Sequence, residues 1–122
     1  VEDLVKLADL VILPVLPSVF DEAATERFLA RLDEVKRVRK SRTAVAVIGN
    51  RVRPHTKAAR QLDAYLEGVG QRAVTQLRDS ALYPDMAARG LSLFDLPGKR
   101  GAAAREDWAP LLALIETGRA EA

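Results

Sequence analysis

Ala44-Val-Ala-Val-Ile-Gly-Asn-Arg-Val-Arg-Pro54 is the stretch that decides the fold class. It opens as a short apolar, β-branched run, the composition of a strand buried on both faces. At Gly49-Asn50-Arg51 it turns polar, and Pro54, which has no backbone N–H to give, prevents a ladder from simply continuing. A buried strand followed by a helical pattern is the repeating unit of an open α/β sheet. In such sheets ligands sit beyond the carboxyl ends of the strands. A strand is therefore expected over residues 44–49, with Gly49-Asn50-Arg51 at its chemically active end.

Working outward, Asp9-Leu-Val-Ile-Leu-Pro-Val-Leu-Pro17 is the first strand candidate, continuously apolar over residues 10–13, with Pro14 marking its carboxyl end. Ser18 is a natural N-cap, and Asp21 and Glu22 occupy a first turn where the helix dipole favours anions. Phe20, Ala24, Phe28, Leu32 and Val35 then recur at helical spacing. Strand, long helix and strand make a right-handed βαβ unit by default. Downstream, residues 56–66 read as a helix with Ala59, Leu62 and Leu66 on one face, stopped by Gly68 and Gly70. Residues 73–77 are a weaker third strand ending in Arg78-Asp79-Ser80. Residues 81–90 form a short helix or turn interrupted at Pro84, residues 91–96 a short extended piece, and residues 97–101 a loop. A closing helix over residues 102–115 is expected to turn Trp108, Leu111, Leu112 and Ile115 inward. The class is α/β with a mainly parallel sheet of about three strands and flanking helices, βαβαβ plus a C-terminal helix.

The chain has 122 residues, enough for one domain, with 48% apolar and 30% charged residues. It has no cysteine, which excludes disulfides, thiolate metal sites and a cysteine nucleophile, and its single histidine, His55, excludes an all-histidine metal site. No apolar run approaches the roughly 18 residues that span a bilayer. Residues 1–8 lack the pattern of a signal peptide. The expected location is the cytoplasm. Net charge is only +2, although the isoelectric point is 9.2, so the placement of basic residues matters more than their number. The opening Val-Glu-Asp-Leu-Val-Lys-Leu-Ala has helix-like spacing with no start signal before it. That and the thin sheet lead us to expect residues 1–122 to be the C-terminal portion of a longer nucleotide-binding domain, truncated at its N-terminus.

Four blocks, in order, carry a family resemblance: Ala8-Asp-Leu-Val-Ile-Leu-Pro-Val-Leu-Pro-Ser18 with Asp21, Val47-Ile-Gly-Asn-Arg51, Arg78-Asp79-Ser80, and Gly90-Leu-Ser-Leu-Phe-Asp95. Together they resemble the C-terminal half of the ParA/MinD family, the deviant Walker-A P-loop ATPases, and are closest to the ParA side, which partitions plasmids and chromosomes. The resemblance implies part of a P-loop NTPase-like sandwich. It implies an intact protein that binds ATP and Mg2+, forms a homodimer around the nucleotide, binds DNA in that state, and is released when a ParB-like partner stimulates hydrolysis. The family's phosphate-binding loop has no counterpart here: the seven glycines offer no G-x-x-x-x-G-K-[ST]. The chain alone should therefore not hydrolyse ATP, because phosphoryl transfer needs those lysines and metal ligands.

Residue by residue, the resemblance places Asn50 on the adenine edge, where a side-chain amide supplies the donor and acceptor that N6 and N7 require. The plain alternative is a turn-shaping asparagine. Arg51 and Pro54 shape the loop bordering the base, and Arg78, Asp79 and Ser80 border the base or ribose, with helix capping as their alternative. Asp21 aligns with an acidic residue that faces the phosphate-side lysines in MinD-like relatives, which makes it a catalytic candidate; simple helix N-terminal charge explains it equally. Pro17 and Ser18 would lie near the dimer face. Basic residues fall into two groups, Lys36, Arg37, Arg39, Lys40 and Arg42, then Arg51, Arg53, Lys57 and Arg60. Arg53, Lys57, Arg60, Lys99 and Arg100 are the candidates for non-specific DNA contact, with nucleoid association following from it. The plain alternative is solvated helix ends. His55 reads as a loop residue and Trp108 as core. The tail from Thr117 is too short and too weakly basic for the membrane anchor of MinD-like proteins, so no membrane partner is expected. Two other functions stand beside the partition ATPase: a truncated, non-hydrolysing adaptor or DNA-binding relative, and another P-loop superfamily enzyme of the amidase or ligase type.

Overall fold

Three parallel strands, β1 (Leu10–Val15), β2 (Ala44–Val52) and β3 (Gln76–Arg78), lie side by side in sequence order. The computed structural model describes residues 7–39, 43–96 and 98–117, without the side chains of residues 38, 39 and 100. The helices are α1 (Val19–Arg39), α2 (Lys57–Gly68), α3 (Leu82–Ala88) and α4 (Lys99–Thr117), with a 3-10 turn at Leu93–Asp95. The chain is thus α/β: among the described residues, a three-stranded parallel sheet is flanked by four helices. The expected opening helix over residues 1–8 falls almost wholly outside the described residues, as do Lys40, Arg42 and the tail beyond Thr117.

Successive side chains on a strand point to opposite faces, and this sorts the core. Val15, Val47 and Val52 face Ala59, Leu62 and Leu66 of α2, the stripe expected from spacing. Ile48 points the other way, to Leu77 and to Leu111 of α4. Right-handed crossovers between adjacent strands put α1 and α2 on the same face. The Tyr65 hydroxyl of α2 donates to the Glu22 carbonyl of α1 and ties the two together.

Both proline- and glycine-based strand ends shift. Pro14 lies inside β1, opposite Ile48. Proline is tolerated there because β1 is an edge of the described sheet, where a missing N–H costs no ladder bond. β2 does not stop at Gly49. It continues through a bulge to Val52: three residue steps on β2, from Gly49 to Val52, span two steps on β3, from Gln76 to Arg78. β3 itself runs later than expected, over 76–78 rather than 73–77, because the bulge delivers Val52 opposite Arg78.

The helices correct the expected inward faces. In α1 the buried positions are Thr25, Leu29 and Leu32, while Ala24 is exposed and Phe20 is 90% exposed. Thr25 can join that face because its hydroxyl donates to the Asp21 carbonyl at 2.7 Å, a satisfied polar group that a count of apolar residues overlooks. Pro84 does not interrupt α3; it sits in the first turn, where its absent N–H has no intrahelical partner to lose. The extended piece expected at 91–96 is instead the 3-10 turn, set by a capping box between Ser92 and Asp95. Residues from Lys99 belong to α4 rather than to a loop. Arg105 explains this early start: its Nη1 donates to the Leu96 carbonyl at 2.6 Å and to the Leu93 carbonyl at 3.4 Å, tethering the approach to the helix. The buried stripe of α4 is Ala104, Leu111 and Leu114, so Leu112 and Ile115 do not turn inward, and Trp108 is only half-buried.

Candidate functional site

Because all three strands are parallel, their carboxyl ends share one edge of the sheet, and the polar residues near the end of β2 and at and just past the end of β3 meet there. Asn50, Arg51, Arg78, Asp79 and Ser80 line one cavity of about 620 Å³, with Ile48 and Leu77 from the strands and Tyr83, Pro84 and Trp108 from the helices. That volume lies in the range of small-molecule sites, apolar walls with a few convergent polar groups. All five residues nominated for the nucleotide base come together.

Asn50 is half-buried, and among the described residues its side-chain amide has no hydrogen-bond partner. It brings an unspent donor and acceptor to the cavity. The bulge places it there. Arg51, next along, takes φ 53°, a left-handed backbone that costs a non-glycine residue on the order of 1 kcal/mol or more. Gly49, two residues before it, is closely packed: a Cβ would stand 3.1 Å from both the Gln76 Cγ and the Val52 Cγ2.

The charged members are largely engaged with one another. Asp79 receives Arg51 at 3.7 Å and Arg53 at 3.3 Å, pairs that are mostly solvated and so individually weak, but which tie the exits of β2 and β3 together. Arg78 is held by Asp107 of α4 through Nε at 2.7 Å and Nη2 at 2.9 Å, the bidentate fork of an arginine–carboxylate pair. Hydrogen bonding to Asp107, then its charge, pushes the Arg78 guanidinium pKa above its usual value. The Ser80 Oγ accepts from the Leu82 N–H at 3.1 Å, so it caps the approach to α3 while its own proton stays available to donate. The Trp108 Nε1 donates to the Tyr83 hydroxyl at 3.1 Å, which leaves that hydroxyl likewise able to donate.

Asp21 is at the same edge of the sheet but is not part of the cavity lining. Its carboxylate accepts the Leu16 N–H at 2.6 Å, and its own N–H donates to the Ser18 Oγ at 3.2 Å, which closes the turn from β1 into α1. Of the DNA candidates, Arg53 is exposed just before the turn into α2, Lys57 and Arg60 are exposed at the start of α2, and Lys99 is exposed at the start of α4. Arg53 shares Asp79, and the Arg60 Nη1 donates to the carbonyl of His55, a turn residue at φ 64°. The Arg100 side chain lies outside the described residues.

Asp107, Tyr83 and Trp108 were not nominated. Asp107 follows Glu106 and precedes Trp108 in a helix, and no sequence spacing marks it as a partner of Arg78, twenty-nine residues away. A second hollow of about 610 Å³ borders β3 near Asp63, Arg72 and Gln76, where the Gln76 amide nitrogen donates to the Asp63 carboxylate. Among the described residues no three His, Asp or Glu side chains gather to hold a metal ion, and no helix is long and apolar enough to cross a membrane. No protein-family model matches the chain, and no curated protein matches it in sequence.

Proposed function

We propose that this chain forms the base-binding side of the ATP site of a ParA-type partition ATPase. The observation that carries the proposal is the convergence of Asn50, Arg51, Arg78, Asp79 and Ser80, taken from two separated stretches, on one cavity in which the Asn50 amide is unspent. A flat heterocycle with adjacent donor and acceptor atoms suits an amide on one side and the apolar wall of Ile48, Leu77, Tyr83 and Trp108 on the other. The residues present fit a base and ribose. They do not supply a phosphate cradle or a magnesium site, so those contacts, and with them the chemistry of hydrolysis, are assigned to no residue of this chain. In the intact protein, ATP and Mg2+ binding brings two copies together, the dimer binds DNA through exposed basic residues such as Arg53, Lys57, Arg60, Lys99 and Arg100, and a ParB-like partner stimulates release.

The test is binding of a fluorescent adenine nucleotide to the intact protein, with GTP as competitor, for wild type and Asn50→Ala. Preference for ATP that Asn50→Ala weakens supports the base site. A folded intact protein that binds no adenine nucleotide refutes it and brings the adaptor function forward.

A further inference from the structure

We propose that Asp107 is the positioning residue of this pocket, setting its affinity for the base through Arg78; the inference rests on the nucleotide-binding function above. Arg78 is the last residue of β3 and lines the cavity, with its side chain 41% exposed. A long flexible cation at a cavity mouth would sample many orientations. Asp107, its side chain only 13% exposed, removes that freedom. Its carboxylate takes the Arg78 Nε and Nη2 and also accepts the Arg78 backbone N–H at 3.3 Å, so one side chain fixes both the strand end and the guanidinium plane. Among the described residues Nη1 has no hydrogen-bond partner, so this cavity-lining side chain keeps one donor group unspent.

Two consequences follow for the ligand. Binding avoids the cost of ordering Arg78, because the ordering is already done. The neutralised pair also presents hydrogen-bond donors without net positive charge, which suits an uncharged base or ribose rather than a phosphate. A second bond also holds α4 to the segment entering β3: the Thr75 hydroxyl donates to the Asp107 backbone carbonyl at 2.6 Å. The helix thus keeps one attachment to the sheet that does not pass through the carboxylate, and Thr75→Val perturbs that attachment without touching Arg78.

The experiment is calorimetric titration of the intact protein with ATP and, separately, with inorganic triphosphate. The variants are Asp107→Asn, Arg78→Ala, the double variant, and Thr75→Val. Asp107→Asn is expected to weaken ATP about tenfold and leave triphosphate affinity unchanged. It should weaken ATP no further when Arg78 is already alanine, and Thr75→Val should leave ATP affinity as in wild type. The proposal is overturned by unchanged ATP affinity in Asp107→Asn, by an additive loss in the double variant, or by equal loss of ATP and triphosphate. Should Asp107→Asn not fold, Arg78→Lys, which keeps the charge but cannot fill both carboxylate oxygens, is expected to show the same loss for ATP alone; undiminished ATP affinity there overturns the proposal as well. If Asn50→Ala weakens ATP while Asp107→Asn does not, this inference fails by itself. If wild type binds no ATP, both fail.

Discussion

Replacing Gly101 with alanine should destabilise the protein, although alanine is the better helix former. Gly101 is buried in the first turn of α4. A Cβ there would stand 2.7 Å from the Leu96 carbonyl oxygen, 2.8 Å from the Arg105 Nη1 and 3.3 Å from the Leu96 Cβ. The obstructing oxygen is the one that accepts from Arg105 at 2.6 Å, so the new methyl pushes against both ends of that hydrogen bond and against backbone that cannot swing aside. Losing a hydrogen bond to a charged group costs about 1.5–3 kcal/mol. Gain in helix propensity returns about 1 kcal/mol. The net expectation is a loss of roughly 0.5–2 kcal/mol, a fall in Tm of roughly 2–8 °C for a domain of this size. Gly68 is the control: it ends α2, and a Cβ there meets nothing within 4 Å. Gly68→Ala should be neutral or stabilise by up to about 1 kcal/mol. Urea denaturation followed by far-UV circular dichroism measures both. A Gly101→Ala protein as stable as wild type, beside a neutral or stabilised Gly68→Ala, would refute the close approach of α4 to Leu96.

Tyr65→Phe removes the bond from α2 to the Glu22 carbonyl and should cost about 1 kcal/mol in the same denaturation assay. In wild type, burial first and the charges of Glu26 and Glu22 next push the Tyr65 phenol above its ordinary value of 10.0. Its stabilising contribution is therefore complete below pH 10 and lost as pH rises through the raised value. Phenolate absorbance should show a late-titrating tyrosine that Tyr65→Phe abolishes. Asp95 has the opposite sign: hydrogen bonds from the Ser92 backbone and side chain hold its carboxyl below the ordinary 3.8. Its contribution is present above that value and lost as pH falls through the lowered one. Asp95→Asn should thus flatten the dependence of the urea midpoint on pH between roughly 5 and 2, and an unchanged slope counts against the capping box.

Legibility in the sequence varied with the range of the interaction. Ala59, Leu62 and Leu66 could be assigned to one buried face from spacing alone, because helix periodicity and an N-terminal Thr56 are local properties. Ser18 as a cap was legible for the same reason, and its Oγ accepts the Asp21 N–H. Phe20 misled, because an apolar residue in a first turn satisfies the period whether or not anything covers it. Leu112 and Ile115 misled similarly: several faces of α4 are apolar enough, and only the sheet selects which one is used. At the site, Asn50 and Arg78 stood out because polar residues at the carboxyl ends of buried strands are conspicuous. The partner that disciplines Arg78 did not, since Asp107 on an otherwise ordinary helix carries no local mark.

What this sequence determined by itself was the alternation of three strands with helices up to Arg78, the parallel sheet that such an alternation enforces, and the end of that sheet at which Asn50 and Arg78 meet. These follow from apolar periodicity, caps and chain connectivity, each readable within a dozen residues. Tertiary structure alone decided that β2 runs through a bulge to Val52, that Arg51 sits in left-handed backbone, and that α4 begins at Lys99 and brings Asp107 to Arg78. Those outcomes depend on contacts between residues far apart in the chain, whose energies exist only once the sheet and the last helix are packed together.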